Sequence, residues 1–388
     1  MTAIYLDNSA TTRPYDTVID LMAKVQGEVY GNPSSMHAKG LDSERIIGQA
    51  RCEIARLFRG RENEIYFTSG GTEANNLAIK GNVHQRRRQG NHIITSSIEH
   101  HSVLNCCRFL EQEGFMVSYL PVNDAGFIAL DELERVINEN TIMVSIGHVN
   151  NEIGTIQPLK KIGALIKRHS SAIFHIDAVQ SFARLPLELS AWQADLVSCS
   201  AHKIHGPKGS GCLWIREGVR LQPLMQGGNQ EKGLRPGTED TAGIAGFGLA
   251  AKITEKDQPL KKSFLEKLNF LFCLGLQKND LKFFVNGTAN PEGASHILNL
   301  SFPGIKAEVL LHALEQRGIF TSAGSACHAR RPEPSHVLQA IGLRGSRLDS
   351  AIRFSFSHIN TEAEVETAVR ETVAAVKELS PMILKKRC

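Results

Sequence analysis

The stretch Leu196-Val197-Ser198-Cys199-Ser200-Ala201-His202-Lys203-Ile204-His205-Gly206-Pro207-Lys208-Gly209-Ser210-Gly211 decides the fold. A short apolar run enters it, hydroxyl and imidazole side chains crowd its centre, and glycines leave it. Such a run, bounded by polar residues, reads as a buried strand ending in a loop. Lys203 sits in the middle of that loop. Asp177 and Gln180 close the preceding apolar run, Ile173-Phe174-His175-Ile176. An acid, a hydroxyl cluster and a lysine at strand ends suit an anionic, nitrogen-containing cofactor. The lysine can condense with an aldehyde, and an aspartate is the companion expected for a pyridine nitrogen. A surface loop with an ordinary lysine has the same local composition, so the rest of the chain must decide.

Upstream the same pattern repeats. Ile65-Tyr66-Phe67, His92 to Thr95, Met116 to Leu120 and Thr141 to Ile146 read as short strands. Helical spacings follow them, as in Leu77, Ile79 and Val83. With Ile173 to Ile176, Leu196 to Ser198 and Cys212 to Ile215, this makes an α/β protein with a mostly parallel seven-stranded sheet and helices on both faces. The final two strands are expected to run antiparallel to the others, because the segment between them is too short for a helical crossover. A polar segment with Pro259 marks a domain boundary. Residues 15–256 form the large domain. Residues 1–14 and 257–388 form a smaller α+β domain, which ends in a helix opened by the capping box Thr361 and Glu364. The small domain carries the loop of about 321–335, where Cys327 sits among glycine, serine and alanine.

Composition excludes several classes. The chain has 388 residues and a net charge of +4, too small and dispersed for nucleic acid or a membrane surface. Arg86-Arg87-Arg88 reads as a solvated helix face. No transmembrane run and no secretory signal is evident. The eight cysteines are scattered without metal-ligand pairs, which fits a reduced, cytoplasmic setting. Adjacent Cys106 and Cys107 read as packing residues. The histidines lack an HExxH arrangement, so no metal is expected.

Gly70-Gly71-Thr72, at a strand end leading into a helix, can hold phosphate through backbone N–H groups, with Ser200 and His202 adding donors. It is not a nucleotide P-loop, because GxxxxGK[ST] is absent. His100, on another strand-end loop, can stack on a flat ring or shuttle a proton. Cys327 can act as a nucleophile if its polar surroundings keep it accessible.

Together these segments resemble the cysteine desulfurases, class V aminotransferase-like enzymes of pyridoxal-phosphate fold type I. The resemblance runs through Tyr5 to Thr12, Gly31-Asn32-Pro33-Ser34-Ser35 and Thr68 to Asn76. It continues through Ile98-Glu99-His100, Val149 to Gly154, His175 to Ser181 and Ser200-Ala201-His202-Lys203. Arg235-Pro236-Gly237-Thr238, Gly324-Ser325-Ala326-Cys327 and Ile352 to Ser355 complete it.

The resemblance implies that Lys203 binds pyridoxal 5'-phosphate covalently and moves protons at the substrate Cα. It implies that Asp177 pairs with the ring nitrogen, Gln180 contacts the phenolic oxygen and His100 stacks on the ring. Gly71, Thr72, Ser200 and His202 hold the phosphate, and Thr238 reaches the phosphate of the neighbouring subunit of a homodimer. Asn151 and Arg353 bind the carboxylate end of L-cysteine, with Asn32 lining the same space. Cys327 collects the sulfur as a persulfide and passes it to an acceptor protein.

His328-Ala329-Arg330-Arg331 after the cysteine, and the short span after Pro381, differ from the housekeeping members that serve iron–sulfur assembly. They are at least as similar to desulfurases dedicated to DNA phosphorothioation. The Ala-Cys-His loop is shared with selenocysteine lyases, the alternative enzyme reading. A noncatalytic interaction protein on this fold is the alternative of another class. Cys388 reads as a bystander in the basic tail.

Overall fold

The computed structural model describes residues 3–288, 293–323 and 334–384. Cys327, Cys388 and most of the cysteine loop lie outside these described residues. Seven strands form the large sheet: β1 (Ile65–Thr68), β2 (His92–Ser96), β3 (Met116–Leu120), β4 (Thr141–Gly147), β5 (Ile173–Asp177), β6 (Leu196–Ser200) and β7 (Gly211–Ile215). Their order is β1-β7-β6-β5-β4-β2-β3. Strands β2 to β6 run parallel, and β7 runs antiparallel to both β6 and β1. The expectation that the last two strands both oppose the rest is therefore corrected. The connection from Asp177 to Leu196, with its short helix Leu189–Trp192, is long enough to return β6 parallel to β5. Only the tight loop after Ser200 reverses the chain.

Most strands of this sheet are buried along their length, as continuous Val/Ile/Leu/Phe runs require. One apolar cluster contains Ile94, Val144, Phe174, Val197 and Phe247; another contains Leu77, Ile79, Ile93, Met143 and Leu213. Alternate side chains of one strand feed opposite layers, as the strand's period of two dictates. A four-stranded antiparallel sheet follows: β8 (Phe284–Val285), β9 (Ile297–Ser301), β10 (Ser322–Ala323) and β11 (Ala351–Ser355), in the order β10-β11-β9-β8. Its core joins Leu268, Phe272, Leu300, Phe354 and Val365 to Ile4 and Leu6 from the start of the chain. The final helix, Glu362–Leu384, opens on the expected capping box. Thr361 N–H donates to Glu364 Oε2 at 2.9 Å, and Glu364 N–H to Thr361 Oγ1 at 3.1 Å. Cys106 and Cys107 are buried as packing residues, and burial pushes the Cys106 thiol up to about 12. Among the described residues no helix is long and apolar enough to cross a membrane.

Asp195, at the entry to β6, is fully buried. It accepts from Lys167 Nζ at 2.9 Å and from Phe174 N–H at 2.8 Å, and it pairs with Arg216 at 2.5 Å. The carboxylate thus ties together the amino ends of β5 and β6, whose carboxyl ends lead to Asp177 and Lys203. Removing it leaves the buried Phe174 N–H without its acceptor, while Lys167 and Arg216 stay partly open to solvent. Asp195→Ala is expected to lower unfolding stability by about 1–3 kcal/mol, measured by urea denaturation. A loss under about 1 kcal/mol, the scale of an exposed pair, would show that the pair is effectively solvated.

Candidate active site

The carboxyl ends of the parallel strands open on a cleft of about 730 Å³. Gly71, Thr72, His100, Asn151, Asp177, Gln180, Ser200, His202, Lys203 and Arg353 all line it. Ten residues singled out from separate parts of the sequence are thus brought together. Asn32 and Thr238 are exposed and do not line it. Asn32 instead caps a turn, accepting from Ser34 N–H at 2.9 Å.

The lysine loop is stitched to the start of the chain. Ala201–Lys203 forms one 3₁₀ turn directly after β6, and Ala201 N–H donates to Ser210 O at 3.0 Å. Thr12 N–H donates to His202 O at 2.9 Å, and His205 N–H to Thr12 Oγ1 at 2.7 Å. The Lys203 ammonium donates to the carbonyls of Ser9 and Ala10 at 2.6 and 2.7 Å. Its pKa is pulled down to about 7, by burial first and then by Arg353 and Arg184, against the opposing pull of Asp7 and Asp177. Burial also pulls His202 down to about 4, helped by Lys203 and Lys208. Its neutral ring approaches Thr11 Oγ1 at 3.2 Å.

Asp177 ends β5 with both oxygens held. Val179 N–H donates to Oδ1 at 2.9 Å and Asn75 Nδ2 to Oδ2 at 2.7 Å. Asn75 also donates to Ser102 Oγ at 2.8 Å. Ser102 N–H in turn donates to His100 Nδ1 at 3.1 Å, at the cap of helix His101–Gln112. Burial holds the His100 pKa below its ordinary value, against Asp177. The neutral ring therefore keeps its proton on Nε2, because Nδ1 is an acceptor.

Ser69-Gly70 leads into the helix Gly71–Arg86, whose first N–H groups lack intrahelical partners by geometry. Gly70 has φ +151°, a region open essentially to glycine alone. A Cβ on Gly71 would stand 2.6 Å from Val179 Cγ2, so only glycine admits this close approach of helix and loop. Ser200 Oγ and Gln180 Oε1 are buried in the cleft without a hydrogen-bond partner. Unsatisfied buried groups of this kind are costly. Beside a helix N-terminus they fit a phosphate and a flat heteroaromatic ring, the two parts of pyridoxal phosphate. On the far wall Arg353 donates to Asn151 O at 2.9 Å and pairs with Asp7 at 2.8 Å.

Several contributors escaped the sequence reading of roles. Asp7 aims Arg353, Asn75 links Asp177 to the His100 cap, and Ser9 and Ala10 hold Lys203. Glu152 is buried and accepts from Ser335 Oγ at 2.5 Å. Ser335 caps the short helix His336–Ala340, immediately after the undescribed segment 324–333. At the other end of that segment Ser322 pairs in register with Arg353. Both ends of the stretch that contains Cys327 are therefore fixed beside the cleft. For Asp7, Ser9, Ala10, Asn75 and Glu152 the only signal in the sequence was their place inside the quoted motifs.

Comparison with known proteins agrees with this geometry. The family described as aminotransferase class-V matches residues 4–367. Cysteine desulfurase IscS of Methanosarcina thermophila is 43% identical over 386 residues, covering 99% of this chain and 95% of that protein. A solved NifS-like protein superposes with a TM-score of 0.91 at 35% identity, covering 97% of this chain and all of that one. A structure described as SspA in complex with cysteine gives a TM-score of 0.80 at 36% identity, over 92% of this chain and 99% of its own. By sequence over nearly its whole length, and by fold, the chain belongs to the aminotransferase class-V family and, within it, to the cysteine desulfurases.

Proposed function

We propose that the protein removes sulfur from L-cysteine, releases L-alanine, and carries the sulfur as a persulfide on Cys327 to a thiol of an acceptor protein. The observation that carries this reading is the convergence of Lys203, Asp177, His100 and Arg353 on one cleft, with both ends of segment 324–333 at its rim. Family membership implies pyridoxal 5'-phosphate, and the orphaned Ser200 and Gln180 atoms fit it. Lys203 is its covalent anchor in this proposal. Gly71, Thr72, Ser200 and His202 hold the phosphate, Asp177 the ring nitrogen, Gln180 the phenolic oxygen and His100 the ring face. Bound there, the cofactor supplies an electron sink for the pair left at the substrate Cα.

The chain's own groups do the rest. With its pKa near 7, Lys203 is substantially unprotonated at neutral pH and can accept the Cα proton. Arg353, aimed by Asp7 and the Asn151 carbonyl, offers its guanidinium to the substrate carboxylate. The Cys327 thiolate attacks the substrate sulfur. A sulfur–sulfur bond forms, the carbon–sulfur bond breaks with its electron pair going to carbon, and protonation there yields alanine. One thiol and one cysteine thus become one persulfide and one alanine, with no external oxidant.

Thr238 lies outside its own cleft, on the loop anchored by the Arg235–Glu73 ion pair at 3.0 Å beside the first turn of helix Gly71–Arg86. That placement supports its reaching the phosphate of a second copy in a homodimer. The free cysteines among the described residues fit a reducing, cytoplasmic compartment. Neither the selenocysteine lyase nor the noncatalytic reading is favoured by the relatives or by the complete set of cleft residues. After loading with pyridoxal phosphate, the protein is expected to convert L-cysteine to equimolar alanine and sulfide in the presence of dithiothreitol. Absence of alanine from a protein that shows the cofactor's visible absorbance would overturn the proposal.

A further inference from the structure

A second, smaller cavity lies behind the lysine loop, between it and the four-stranded sheet. It is lined by Arg184, His205, His296, His358, Lys261 and Lys262 among others, and no described lining residue is acidic. Arg184 donates through Nη2 to the carbonyl of Lys203. Its Nη1 is buried and has no hydrogen-bond partner. His296 is only 3% exposed, and its Nε2 is also without a partner. The other groups are engaged. His205 Nε2 meets Ser357 Oγ at 2.7 Å, His358 Nε2 meets the Tyr15 hydroxyl at 2.9 Å, and Lys261 donates to the Thr254 carbonyl at 3.2 Å. Lys262 lies 3.7 Å from Glu266.

A buried guanidinium without a carboxylate is costly unless something negative meets it. The lining presents one unsatisfied charged donor and one unsatisfied imidazole nitrogen to the same space. The space is about 30 Å³, room for one or two water-sized occupants. We infer that this cavity binds a single small monovalent anion of chloride size, held by Arg184 Nη1 and His296 Nε2 directly behind the Lys203 loop. Two sources share this chemistry, a halide and hydrosulfide. Glu292 adjoins the lining residue Gly293 and lies outside the described residues, so the test must separate its carboxylate from a free ion.

The test uses the cofactor-loaded protein. Thermal melts at constant ionic strength are expected to give a higher Tm in sodium bromide or chloride than in sodium gluconate, saturating with concentration. Arg184→Gln should abolish that difference. Titration with hydrosulfide in place of bromide tells the two sources apart, and saturable stabilisation by either supports the site. Crystals of the unaltered protein soaked in bromide provide a readout that does not depend on the variant folding. An anomalous peak within hydrogen-bond distance of Arg184 Nη1 is expected. No peak and no halide-specific change in Tm would overturn the inference. So would a peak that appears only in Glu292→Gln, because the native counter-ion would then be that carboxylate.

Discussion

Cys327→Ser is expected to leave cofactor loading and its absorbance unchanged while lowering sulfide and alanine production from L-cysteine by about three orders of magnitude or more. Collecting sulfur as a persulfide needs a sulfur nucleophile, and it needs the thiolate. A serine hydroxyl at the same place is essentially un-ionised at neutral pH and cannot make a sulfur–sulfur bond. The fold tethers this residue where it is needed. Ala323 pairs with Ile352 in β11, next to Arg353, and lines the cleft. Cys327 follows it by four residues, so covalent geometry alone confines its Cα to within about 14 Å of that strand end. At the other end, the bond from Ser335 to buried Glu152 anchors the return of the chain beside Arg353. Burial raises Glu152 to about 7, against the stabilising Ser335 bond and Arg353. Retained alanine production in Cys327→Ser would remove the persulfide from the mechanism. The same result with selenocysteine as substrate, and inactivity on cysteine, would revive the lyase reading. The assays are alanine by chromatography and sulfide by methylene blue.

The sheet was legible because parallel strands buried on both faces appear as bare apolar runs. Ile173 to Ile176 and Leu196 to Ser198 could hardly be anything else before Asp177 and Lys203. The direction of β6 was misread, since strand direction depends on how the connection packs and not on the strand's own residues. Cleft residues that bear chemistry were legible where their residue types are unusual at a strand end, as with Lys203 and Asp177. Those that work by holding another group were not. Asn75 is one of many polar residues in a helix, and nothing in its spacing reveals that it joins Asp177 to Ser102. Ser9 and Ala10 act through their carbonyls, which carry no side-chain signature. No motif around Arg184 signals that its guanidinium is buried against the Lys203 carbonyl. Asn32 and Thr238 belong to the quoted motifs, yet neither lines the cleft of its own chain.

Lys203→Met is expected to abolish turnover, with about 10²–10⁴-fold of the loss coming from proton transfer alone, and in the cofactor-free protein to raise stability at neutral and acidic pH. The second effect separates a buried, functional amine from an ordinary lysine. Burial, then Arg353 and Arg184, hold the Lys203 amine at about 7 against its ordinary value of 10.5. Below about pH 7 both the folded and the unfolded chain carry the charge, and the folded state bears the full cost of holding it in the cleft. Between about 7 and 10.5 the folded state is already neutral while the unfolded state still binds the proton. Stability attributable to this residue therefore rises with pH through that window. Above 10.5 the contribution vanishes. Methionine removes the charge and fills similar space, so its advantage over lysine should be greatest below pH 7 and fade toward pH 10.5. Thermal melts of the two cofactor-free proteins across pH 6–10 would show it. A constant difference, or one growing with pH, would mean that Lys203 keeps an ordinary pKa in the folded chain. The base role in the desulfurase cycle would then need another group.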